Sequence, residues 1–115
     1  MTLSKELRIG NWVDYKLPNN YGNEIRTQFN FDLCKYVHLL KPIPLTTEIL
    51  EKAGFKRDSD YDGLYSFGGY NFDLTDGVVV CLVNLEYKIG QPVHYLHQLQ
   101  NFIYALTGEE LNIQL

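Results

Sequence analysis

Apolar residues recur at helical spacing near the end of the chain. At about 100° per residue, Tyr95, Leu96, Leu99, Phe102, Ile103 and Leu106 fall within an arc of roughly 120°. The spacing predicts one long amphipathic helix over 92–108, packed by that stripe against the rest of the domain. Pro92 suits a first turn, where a missing N–H costs nothing, and Gly108 sits where a left-handed C-terminal residue is expected. His94, His97, Gln98, Asn101 and Tyr104 occupy the other side, and no Asp, Glu, Lys or Arg occurs from Ile89 to Gly108.

Upstream, the period changes to two. Ile9 to Tyr15 reads as a strand opening with a Gly-Asn turn, and 18–23 as a loop of Pro, Asn, Tyr and Gly. Ile25, Thr27, Phe29, Phe31 and Leu33 alternate with Arg26, Gln28, Asn30 and Asp32, which predicts a half-buried strand that continues or bends into 36–40. Strands over 1–40 form a curled antiparallel sheet, small-barrel-like at its most closed. Pro42 and Pro44 force an extended connector. Thr46 can cap a short helix over 46–54, with Glu48 near its start and Gly54 at its end. A β-meander over 55–85 follows, with two-residue turns at Gly68-Gly69 and Asp76-Gly77. Val78 to Val83 is apolar without alternation and reads as the most buried strand. Leu111 to Leu115 reads as a last short strand. The order indicates an α+β fold in a single domain, 1–115.

Composition adds a compartment and removes some partners. With 115 residues, 45% hydrophobic and 14% aromatic, the chain can bury a core. A net charge of −4 and an isoelectric point near 5.2 argue against general nucleic-acid or anionic-membrane binding, which need a cationic field. Met1 to Arg8 has no apolar run of the kind a signal peptide requires, and the long helix is too rich in amides and imidazoles for a membrane span. The expected location is the cytoplasm. Cys34 and Cys81 lie far apart and read as reduced thiols.

Three segments carry a resemblance. His97 to Asn101 with Tyr104 to Leu111 (HQLQN, YALTGEEL) resembles the C-terminal signature of a group of short uncharacterised proteins of Bacteroidetes genomes and their phages and mobile elements. Leu7 to Val13 (LRIGNWV) resembles the opening motif of that group, and Lys41 to Thr46 with Ala53 to Phe55 its central one. The resemblance implies a bacterial, phage-related setting. No activity is established for the group, so it implies no chemistry and no functional residues.

Candidate chemistry is sparse. Asp58, Asp60 and Asp62, followed by Gly63, match the first half of a calcium loop, but the twelfth position is Gly69 and flanking helices are missing, so an acidic solvated turn is the simpler reading. His94 and His97 stand one helical turn apart without the further signature of a zinc helix; His38 or Glu86 would have to complete a site. No nucleophile-base set or phosphate loop can be read, so no catalytic residue and no cofactor is expected. The uncharged helix face His94, His97, Gln98, Asn101 and Tyr104 is either covered inside the fold or turned toward a protein partner or a second copy, since amides and imidazoles give directional hydrogen bonds at little desolvation cost. The reading is a non-enzymatic interaction or assembly protein using that face. The alternative is a nucleic-acid module on the N-terminal aromatic sheet, with Arg8, Trp12, Arg26 and Lys35.

Overall fold

The computed structural model describes residues 6–16, 24–83 and 87–115. The loop expected at 18–23 and Glu86 lie outside these. The chain runs β1 (Trp12–Lys16), β2 (Glu24–Gln28), a 3-10 helical segment (Phe31–Leu39), β3 (Leu40–Lys41), α1 (Thr47–Lys52), β4 (Lys56–Arg57), β5 (Leu64–Phe67), β6 (Tyr70–Thr75), β7 (Val78–Val83), β8 (Tyr87–Val93) and α2 (Leu96–Thr107). The fold is α+β. An antiparallel sheet of order β2-β1-β3 stands at the N-terminal end, and a meander of order β4-β5-β6-β7-β8 forms the body.

The body is built by α1 and α2 covering one face of the meander. Ile49 and Leu50 of α1, with Leu96, Leu99 and Ile103 of α2, join Tyr65, Phe72, Val79 and Cys81 in the main core. Phe72 meets Phe55 and Phe102 edge-on, the centroids 5.0 and 6.3 Å away. Strand β1 links the two sheets because adjacent strand residues point to opposite faces. Trp12 enters the main core and donates its indole N–H to the Ile113 carbonyl at 3.2 Å. Val13 enters a smaller cluster with Phe29 and Leu40.

Local chemistry accounts for the element ends. The Thr46 hydroxyl accepts from the Ile49 N–H at 3.2 Å and starts α1. The four turn residues Gly68, Gly69, Asp76 and Gly77 all have positive φ, as the tight antiparallel turns demand. Gly108 ends α2 in the left-handed region.

Four expectations are corrected. The alternation after Ile25 does not continue as a strand: β2 stops at Gln28, and Asn30 caps the 3-10 segment by accepting from the Leu33 N–H at 3.1 Å. Phe31, which an unbroken strand would have half-buried, is 81% exposed, while Leu33 and Val37, four apart, pack on the small cluster. The long helix begins at Leu96, not at Pro92, because 87–93 is an eighth strand that the spacing missed. Pro92 is tolerated there because β8 is an edge strand. Leu111 to Leu115 forms no strand, although Leu111 and Ile113 are buried against the main core. The β1 strand starts at Trp12, after a turn at Ile9-Gly10.

Strand β8 is also irregular. Its pairing with β7 shifts between Val79 and Cys81, which face Val93 and Ile89, so β8 spends more residues than its partner over that stretch. Gly90 sits in the irregularity with φ +70, and a Cβ there would come within 2.6 Å of the Phe102 ring. Glycine at this point lets the aromatic ring rest on the strand backbone.

Candidate functional site

The uncharged face of α2 is largely covered from within the chain. The N-terminal strap, residues 6–12, lies along it, and the two are joined by hydrogen bonds between residues about ninety apart in sequence. Asn101 is the central clamp. Its Oδ1 accepts from Arg8 Nε at 2.6 Å and from Asn11 Nδ2 at 3.1 Å, and its Nδ2 donates to the Glu6 carbonyl at 2.7 Å. Gln100, which is buried and which the pattern of the helix face does not single out, accepts the Trp12 backbone N–H at 2.8 Å and donates to the Gly10 carbonyl at 3.4 Å. A buried amide with both ends paired holds backbone that would otherwise lose its hydrogen bonds to water.

His97 is 0% exposed, with Nε2 2.7 Å from Glu6 Oε1. A carboxylate can only accept, so the ring hydrogen on Nε2 is the one shared. The other ring nitrogen, Nδ1, is buried without a partner among the described residues. Gln98 serves the helix start: its Oε1 accepts from the His94 and Tyr95 N–H groups at 2.9 and 3.2 Å, and its Nε2 donates to Glu6 at 3.2 Å. Of the five face residues, His94 and Tyr104 remain exposed; His97, Gln98 and Asn101 are occupied by the strap. A carboxylate introduced at Gln98 or Asn101 would meet the Glu6 carboxylate or carbonyl, so such changes disturb the strap as well as any outside contact.

Arg8 completes the clamp at the open end. Its guanidinium bonds Asn101, Glu110 at 2.6 Å and the Gln100 carbonyl, and its Cζ stands 4.5 Å from the centroid of the Tyr104 ring. Beside it opens a groove of about 680 Å³ between α2 and the edge strand β8. Pro92 and Val93 form one wall, Phe102, Tyr104 and Ala105 the other, with Arg8 at the end. Tyr104 is 45% exposed here.

The remaining candidates separate. Trp12 is 7% exposed and cannot stack on a base; Arg26 pairs with Asp14 at 3.2 Å, and Lys35 leans over Tyr36 at 5.7 Å from the ring centroid. Asp58 closes its own turn, accepting from the Asp60 and Tyr61 N–H groups at 2.8 and 3.2 Å, while Asp62 faces Arg57 at 3.7 Å. Among the described residues no group of three or more His, Cys, Asp or Glu is placed to hold a metal ion. Cys34 is exposed and Cys81 buried, both free; burial pushes the Cys81 thiol pKa up, with a smaller opposing effect from a hydrogen bond with the Leu82 backbone. Among the described residues no helix is long and apolar enough to cross a membrane. No family model, no curated protein and no solved structure matches this chain.

Proposed function

We propose that the chain is a non-enzymatic interaction protein that receives a side chain of a protein partner in the groove beside Tyr104, in the phage-related bacterial setting that the sequence resemblance suggests. The observation that supports this reading is the groove itself. It joins an exposed aromatic ring, an exposed Ala105 and an edge strand in one concave, mostly apolar surface of about 680 Å³. Arg8 has its donors engaged by Asn101, Glu110 and Gln100, so the groove selects for apolar or aromatic groups rather than for anions. Strand addition along β8 is disfavoured, because Pro92 lacks an N–H and Gly90 breaks the register. Recognition then rests on a side chain seated against Tyr104, a residue type enriched among binding anchors.

The test is a peptide-display selection on the wild type and on Ala105→Arg. Ala105 is exposed in the last turns of α2, so arginine there fills the groove without entering the core. The expected result is an enriched aromatic or branched apolar motif on the wild type that Ala105→Arg does not bind, with equal melting temperatures. Selection of no motif, or of one that binds both proteins equally, would remove the groove as the contact site.

A further inference from the structure

The face of the meander turned away from α1 and α2 carries more apolar surface than a water-facing sheet needs. Register sets the two sides. Phe72 opposite Cys81 and Leu74 opposite Val79 point to the core. Asp73 opposite Val80, Asn71 opposite Leu82 and Thr75 opposite Val78 point away from it. An antiparallel sheet with one wet face normally alternates apolar and polar residues. Strand β7 does not: Val78, Val80 and Leu82 lie on the outer side of a strand flanked by β6 and β8. Among the described residues no α-helix lies over them, since the buried apolar residues of α1 and α2 belong to the core on the other side and the buried His97 and Gln100 of α2 meet the strap. Two depressions mark the surface. One of about 200 Å³ is lined by Asp73, Thr75, Val78, Val80, Leu82 and Lys88; one of about 360 Å³ shares Asp73 and Leu82 and extends to Leu64 and Tyr61.

We infer that this outer face is the contact surface for a second copy of the chain, the two meanders packing face to face. Charge supplies the reason for a second copy. Asp73 on β6 and Lys88 on β8 flank the apolar strip of β7 on opposite sides. Among the described residues Lys88 has no ion pair, and the Asp73 carboxylate bonds only the Thr75 hydroxyl, at 3.1 Å. A two-fold axis along β7 lays β6 of one copy over β8 of the other. Each Asp73 then stands near the Lys88 of its partner copy, and the pair is made twice, as an isologous interface requires. Val78, Val80 and Leu82 of the two copies meet in the middle, where stacked sheets lie about 10 Å apart and side chains interdigitate.

The test is size exclusion with light scattering over a wide concentration range. The wild type is expected at twice the 13.4 kDa of the chain at high concentration. Val80→Lys is expected as a monomer with an unchanged circular dichroism spectrum. Asp73→Lys and Lys88→Asp should each weaken the dimer several-fold, and the double variant Asp73→Lys/Lys88→Asp should restore it, an outcome that a general loss of stability cannot give. A wild type that stays monomeric at millimolar concentration overturns the inference. So does a dimer that survives Val80→Lys in a folded protein, or one that the double charge exchange fails to restore after the single changes break it.

Discussion

Both faces of the β6-β7 ribbon carry apolar side chains, and the fold treats them differently. On one side Phe72, Leu74, Val79 and Cys81 meet α1, α2 and the rings of Phe55 and Phe102. On the other, Val78, Val80 and Leu82 share their surface with Asp73 and Lys88 and stay half-buried. Apolar content alone therefore does not set burial; burial needs a second layer, and α2 provides one to a single face. The largest test of this contrast compares truncations across the ribbon. Phe72→Ala should cost about 3–5 kcal/mol, the range for deleting a buried aromatic ring. Val80→Ala should cost only about 1 kcal/mol or less in the monomer, because its neighbours are partly solvent. Urea melts at low protein concentration measure both, and similar losses at the two positions would break the contrast.

The strap is a second kind of layer, and it is polar. It covers α2 where the helix presents amides, so hydrogen bonds to Asn101 and Gln100 hold it there in addition to the burial of Trp12 in the main core. Gln100→Leu probes this directly, since leucine matches the volume but offers nothing to the Trp12 N–H. A buried donor left unpaired costs about 1–3 kcal/mol. The loss should therefore fall below that of Phe72→Ala. Because the chain has one tryptophan, a change in its fluorescence should report whether the strap has shifted. A Gln100→Leu protein as stable as the wild type would mean that the strap is held by the main core through Trp12 alone.

What could be read in advance follows from how local each signal is. The stripe Leu96, Leu99, Ile103 repeats at helical spacing and points into the core as expected. The turns at Gly68-Gly69 and Asp76-Gly77 depend only on residues that accept positive φ. The short helix follows from the Thr46 cap. The misses have non-local or competing causes. Asn30 stopped the alternation because a side-chain cap outbid strand pairing at that point. Strand β8 was hidden by Gly90 and Pro92, residues that normally speak against a strand and are tolerated here by an irregularity and an edge. The fate of the uncharged helix face was open because its partners, Glu6 to Trp12, lie ninety residues away. No periodicity encodes that meeting. Gln100 was overlooked for the same reason: it sits between the apolar stripe and the polar side, and only the strap shows what it binds.

The smallest predicted effect lies at the exposed end of the strap, where charge replaces the buried amides. Arg8 and Glu110 are 2.6 Å apart, yet their side chains remain 32% and 55% exposed. Water screens such a pair, and the ordering of two long side chains offsets part of the attraction. Glu110→Gln keeps an acceptor near Arg8 and removes only the charge, so it should lower stability by about 0–1 kcal/mol. The loss should shrink further in high salt, because screening acts on exposed charge and not on the buried amide contacts of Asn101 and Gln100. Thermal melts at low and high ionic strength separate the two contributions. A large, salt-independent loss would show that the strap is fastened at Arg8 rather than at the amides of α2, and the order of effects from core to amide to surface charge would have to be reversed.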